Sequence, residues 1–103
     1  MVATDRTLAE LDMKAQTNEP LDPVEIEQYR SYYRLASRHA DMAFLQYQQR
    51  LITEDQLYGV LAPLRHHLGG ITGKILWAEE QDRNFAPGFV EYINPMMISI
   101  EIW

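Results

Sequence analysis

The sequence predicts an all-α fold: an antiparallel helical hairpin with one or two shorter helices and an extended C-terminal tail, in a single domain over residues 1–103. Two observations carry most of that expectation. A helix-opening signal occurs twice in the same form, at Asp22-Pro23-Val24-Glu25 and at Thr53-Glu54-Asp55-Gln56. In each, the first residue suits a cap and the last can reach back to complete a capping box, with Leu21/Ile26 and Ile52/Leu57 as hydrophobic staples. Between the two starts, Ile26, Tyr29, Tyr33, Ala36, Ala40, Ala43, Tyr47 and Leu51 recur at intervals of three and four, which draws one stripe along one long helix. The short connection before Thr53 then makes the second helix antiparallel to the first.

Each element follows in order. Leu8, Leu11 and Ala15 fall at helical spacing behind a Thr4 or Asp5 cap, so Thr4 to Ala15 reads as a short helix. Pro20 disfavours helical geometry at Glu19, and residues 16–20 read as a loop, leaving the first twenty residues loosely held. The long helix runs from Pro23 to about Leu51, with alanines in the middle of its stripe, tyrosines at both ends and Phe44 widening it. Such a stripe is either the core of the domain or, in part, a seam between two copies, because alanines let helices approach closely.

The second helix carries Leu57, Val60, Leu61, Leu64 and Leu68 on one face, and Pro63 deprives the Gly59 carbonyl of its partner. A kink or break between Gly59 and Pro63 is expected. Gly69-Gly70 ends the element, and Thr72 caps a third helix to about Asn84. Phe85-Ala86-Pro87-Gly88 breaks the chain before a short turn through Phe89, Val90, Tyr92 and Ile93, closed by Pro95. From there Met96, Ile98, Ile100 and Ile102 alternate with Met97, Ser99, Glu101 and Trp103, a strand period. A lone strand must pair or dock, so this tail is the expected oligomerisation element.

Composition narrows the function. An apolar fraction of 47% with 23% charged residues is that of an ordinary globular protein. The absence of cysteine excludes disulfides, thiolate catalysis and Cys-based zinc sites. Met1 to Arg6 shows no secretory pattern and no window approaches a membrane span, which points to a soluble, cytoplasmic chain. The net charge is −6, with the excess acid at the N-terminal segment, Glu79/Glu80/Asp82, Glu91 and Glu101. Nucleic acid is therefore an unsuitable partner, and a basic protein a suitable one.

No catalytic or metal-binding pattern emerges. His66 and His67 are adjacent and cannot share a helix face, His39 has no ligand-spaced partner, and Glu-x-x-His and His-x-x-x-His are missing. No metal or cofactor is expected. Ser31, Ser37 and Ser99 lack a nucleophile-elbow setting. The run Gly69 to Ile75 misses phosphate-loop spacing and has Ile75 where a hydroxyl would hold magnesium. Glu79, Glu80 and Asp82 read as a solvated face. Arg30, Arg34 and Arg38 read as a solvent-facing row with Glu27 and Asp41 as partners.

The segments Tyr47 to Asp55, Trp77, and Phe85-Ala86-Pro87-Gly88-Phe89-Val90-Glu91-Tyr92 resemble those of a group of small uncharacterised bacterial proteins. Members of that group place a membrane helix ahead of a helical soluble region, and the resemblance covers residues 22–94. It implies the helical region and no activity. This chain departs from the group by lacking the membrane helix, by Ala86 where a capping Ser is common, and by its apolar tail.

The expectation is a non-enzymatic interaction module that forms a dimer with itself. Its candidate contact residues are Tyr29, Tyr33, Ala36, Ala40, Ala43 and Tyr47 of the stripe, and Ile98, Ile100, Ile102 and Trp103 of the tail. The alternative is a small acidic inhibitor or immunity-type protein that neutralises a basic partner. A third possibility is an apolar ligand pocket at Tyr29, Tyr32 and Tyr33.

Overall fold

The computed structural model describes residues 5–17 and 19–102, with side chains from residue 9 to residue 97, residue 18 apart. Among the described residues the chain is all-helical, without strands: α1 (Asp5–Gln16), α2 (Pro23–Gln48), α3 (Glu54–Val60), α4 (Ala62–Leu68), α5 (Ile71–Glu80) and α6 (Phe89–Ile102). The Thr4 cap and the Leu8 side chain lie outside the described residues.

Both opening signals work as local chemistry requires. At α2 the Glu25 N–H donates to Asp22 Oδ1 at 2.8 Å, and the Asp22 N–H donates to Glu25 Oε1 at 3.1 Å. At α3 the Gln56 N–H donates to Thr53 Oγ1 at 3.1 Å, and Gln56 Oε1 accepts from the Thr53 N–H at 2.8 Å. α2 stops at Gln48, short of Leu51, because Arg50 turns into the left-handed region at φ 62°. The break before Pro63 falls at Leu61. Pro63 thereby sits in the first turn of α4, where its missing N–H strands no carbonyl within that helix.

Two boundaries differ from expectation. α5 is entered from Gly70, not capped by Thr72, and it ends at Glu80 instead of Asn84. The entry is decided by packing: a Cβ on Gly70 would come within 2.9 Å of the Ala15 carbonyl oxygen of α1. At the exit, Asn84 takes φ 49°, and Arg38 of α2 holds the carbonyls of Arg83 and Asn84 at 3.1 and 3.0 Å.

The larger correction concerns the tail. Helix α6 continues through Pro95 to Ile102, so residues 96–102 are helical and not extended. Seven residues of alternating apolar character do not separate a strand from a helix that is apolar nearly all round. Pro95 lies two turns from the start of α6, where only the Glu91 carbonyl loses its partner. The side chains of Ile98, Ile100 and Ile102, and all of Trp103, lie outside the described residues.

The core is built around α2. Tyr29, Tyr33, Leu57, Leu61, Leu64, Leu68, Leu76, Trp77, Phe89 and Ile93 are fully buried. Phe44, Phe85, Phe89 and Trp77 form a run of ring contacts with centroids 5.0–6.1 Å apart. α1 is docked on this core through buried Leu11 and Ala15. Lys14 Nζ also donates to Glu25 at 2.8 Å, and Gln16 Nε2 to the His66 carbonyl at 2.8 Å.

Candidate functional site

The tyrosine–alanine stripe faces into the chain. Tyr29, Tyr33 and Ala40 are completely buried, Ala36 and Ala43 nearly so, and Tyr47 half-buried. Five of these six candidate contact residues are therefore core, since a second copy could reach them only by opening the fold. Their polar ends are satisfied unequally. The Tyr29 hydroxyl lies 2.8 Å from His67 Nδ1, with the rings edge-on at 5.1 Å. Among the described residues, the buried Tyr33 hydroxyl has no hydrogen-bond partner. The Tyr47 hydroxyl donates to Glu54 Oε2 at 3.2 Å, joining the end of α2 to the start of α3. Burial raises both Tyr29 and Tyr33 and lowers His67, although the nearby Asp12 charge pulls the histidine the other way.

The acidic helix and the arginine row are solvated only in part. Glu79, Asp82, Arg34 and Arg38 are exposed, and the expected Arg30–Glu27 and Arg38–Asp41 pairs form at 3.4 and 3.9 Å. Glu80, however, is drawn into the chain and is 5% exposed. Its carboxylate accepts from Arg30 Nη1 at 2.8 Å and from Arg34 Nε at 3.0 Å. Burial pushes that carboxyl up, but the hydrogen bonds and charges of Arg34 and Arg30 outweigh it, and the net direction is down. Arg30 also meets Glu79 at 3.3 Å and Glu27 at 3.4 Å. Arg38 lies over the Phe85 ring at 5.0 Å, and Asp41 accepts the Ala86 N–H at 2.7 Å. The row is thus a set of struts from α2 to α5 and the 83–86 segment. A signal for Glu80 existed in the sequence: it continues the Gly73, Leu76, Trp77 side of α5 at helical spacing, and that side is buried.

Accessible apolar surface lies one position earlier. Tyr32, Leu35, His39 and Met42 each precede a stripe residue and run along α2 as a second, parallel line. Leu35 is 57% and Met42 61% exposed. Beside this line a groove of about 560 Å³ separates α2 from α4. It is lined by Tyr32, Leu35, Ala36 and His39 on one side, by Ala62, Pro63, His66 and His67 on the other, and by Asp12 of α1. His66 Nε2 lies 2.6 Å from Asp12 Oδ2. Of the expected tyrosine pocket, only Tyr32 lines this groove. Among the described residues, no three His, Asp or Glu side chains are arranged to hold a metal. In the sequence the second line is obscured because His39 interrupts it and the alanine stripe is longer.

A second groove, of about 360 Å³, lies between the start of α2 and α5. Its walls are Pro20, Leu21, Ile26, Ile71, Ile75 and Leu76, with Glu19, Arg30 and Glu79 as its charged members.

No family model, no curated protein and no solved structure matches the chain. Among the described residues, no helix is long and apolar enough to cross a membrane.

Proposed function

We propose that the chain is a non-enzymatic, cytoplasmic protein–protein interaction module that self-associates, its α2 and α3–α4 forming an antiparallel hairpin. The supporting observation is the exposure of Leu35 and Met42, two turns apart on one face of α2 beside the apolar α2/α4 groove. Exposed apolar side chains lined up at helical spacing are what a helix–helix interface buries. We therefore assign the contact to this line and not to the alanine stripe.

Solution mass by light scattering tests it. The full chain is expected to be a dimer at high micromolar concentration, and Leu35→Glu/Met42→Glu a folded monomer by circular dichroism. A monomeric wild-type chain, or a double variant that stays dimeric, overturns the proposal. The alternative, an acidic protein that neutralises a basic partner, is supported by the net charge of −6. Of its expected acidic helix it keeps only the exposed Glu79 and Asp82, since Glu80 is matched by two guanidinium groups.

A further inference from the structure

We infer that the groove between the start of α2 and α5 is a docking site for a basic amphipathic helix of a partner protein. This rests on the chain being an interaction module, but not on the α2 line that self-association would use. Ile71 and Ile75, one turn apart on α5, are 51% and 53% exposed and face the groove opposite Leu21 and Ile26. From Ile71 to Glu79 the wall rises about 12 Å, which matches two turns of a helix laid along it. Two apolar side chains of the partner, spaced i and i+4, would cover the isoleucines, as in helix-in-groove recognition.

Charge selects the partner. Glu19, Arg30 and Glu79 are the charged side chains lining the groove. Arg30 is already engaged by Glu27, Glu79 and Glu80, at 3.4, 3.3 and 2.8 Å. Glu19 is exposed and forms no ion pair among the described residues, and the Glu79 side chain is 53% exposed. An incoming helix thus meets an apolar lining that also carries the exposed carboxylates of Glu19 and Glu79. Lysines or arginines flanking its apolar pair would find partners there, whereas an acidic helix or an anionic lipid surface would be repelled.

The test is a fluorescence-anisotropy titration with a labelled Leu/Lys amphipathic helix of about fourteen residues, and its Leu/Glu counterpart as control. The host is the Leu35→Glu/Met42→Glu chain, so that self-association and peptide docking are read separately. We expect the Leu/Lys peptide alone to bind, about tenfold more weakly when salt rises from roughly 50 to 500 mM. Ile71→Ser/Ile75→Ser should weaken it about tenfold and Glu19→Gln/Glu79→Gln about fivefold, with Asp55→Asn/Glu91→Gln, an equal charge change elsewhere, within about twofold. Absence of binding overturns the inference. So does equal loss in the Asp55/Glu91 control, which would make the attraction a property of net charge. A third overturning result is a change of the wild-type solution mass by the isoleucine pair, which would give the groove to a second copy.

Discussion

Tyr29 and Tyr33 stand one turn apart on α2, both completely buried, and make opposite demands on their hydroxyls. Tyr29 is bonded to His67, whereas the Tyr33 hydroxyl has no hydrogen-bond partner among the described residues. Tyr29→Phe should cost about 1–2 kcal/mol, because it strands a buried ring nitrogen, and Tyr33→Phe should be neutral or stabilising by up to about 1 kcal/mol. Urea midpoints of the two variants check the contrast. The buried ionisable groups predict an acid limb in two stages. His67 titrates below the ordinary histidine value of 6.5, so the unfolded chain takes its proton first and stability falls as pH drops from 6.5. Glu80 is held below 4.5, so its contribution is complete above that pH and is lost on going lower. In unfolding curves from pH 7 to 3, His67→Gln should remove the first stage and Glu80→Gln the second. Glu80→Gln should also cost about 2 kcal/mol at neutral pH. Only the side of α5 that carries Glu80 was legible in the chain; the partners of His67 and Glu80 were not, since they lie 38 and 46–50 residues away.

At the scale of elements, two helical glycines carry opposite predictions. Gly59 in α3 is exposed, and a Cβ there would meet nothing within 4 Å. Gly59→Ala should stabilise by about 0.5–1 kcal/mol. Gly73 in α5 presses on α4, and a Cβ would collide with the His67 carbonyl oxygen. Gly73→Ala should therefore cost about 3 kcal/mol or more, because two helix backbones must separate. Thermal unfolding of the two variants should move in opposite directions. The pair also shows why local sequence is informative unevenly. The run Gly69-Gly70-Ile71-Thr72-Gly73 marks the end of one helix and the start of another, but the start lies at Gly70 and not at Thr72. The need for Gly70 and Gly73 comes from the Ala15 and His67 carbonyls. The same holds for α6, where helical and extended patterns were nearly indistinguishable over residues 96–102.

For the whole molecule, the net charge of −6 overstates how much acid is available to a partner. Glu25 is paired with Lys14, and Glu27 and Glu80 with Arg30 or Arg34, while Glu79 shares Arg30 and keeps its side chain 53% exposed. Among the apolar side chains that face outward, two sets lie on different sides of α2, one along Leu35 and Met42 and one toward Ile71 and Ile75. If the first is the contact between copies, a chain ending at Met97 should remain dimeric by light scattering, while Leu35→Glu/Met42→Glu does not. Loss of the dimer on shortening would return the role to residues 98–103.

Class, the capped starts of α2 and α3, the break before Pro63 and the helical spacing that puts Tyr29 to Ala43 on one face of α2 followed from the sequence alone. That this face is core and that Leu51 lies outside it did not. Caps, proline geometry and helical periodicity act within a few residues of one another, so the chain states them locally. Tertiary structure alone decided that Arg30 and Arg34 meet Glu80 and that Arg38 holds the 83–84 carbonyls, and that a second apolar line was left outside the core. It also decided that the residues after Pro95 continue as a helix. Each of these depends on which distant segments come to lie alongside, and burial converts a solvated charge or an ordinary apolar side chain into a strut or a contact surface only once that neighbour is in place.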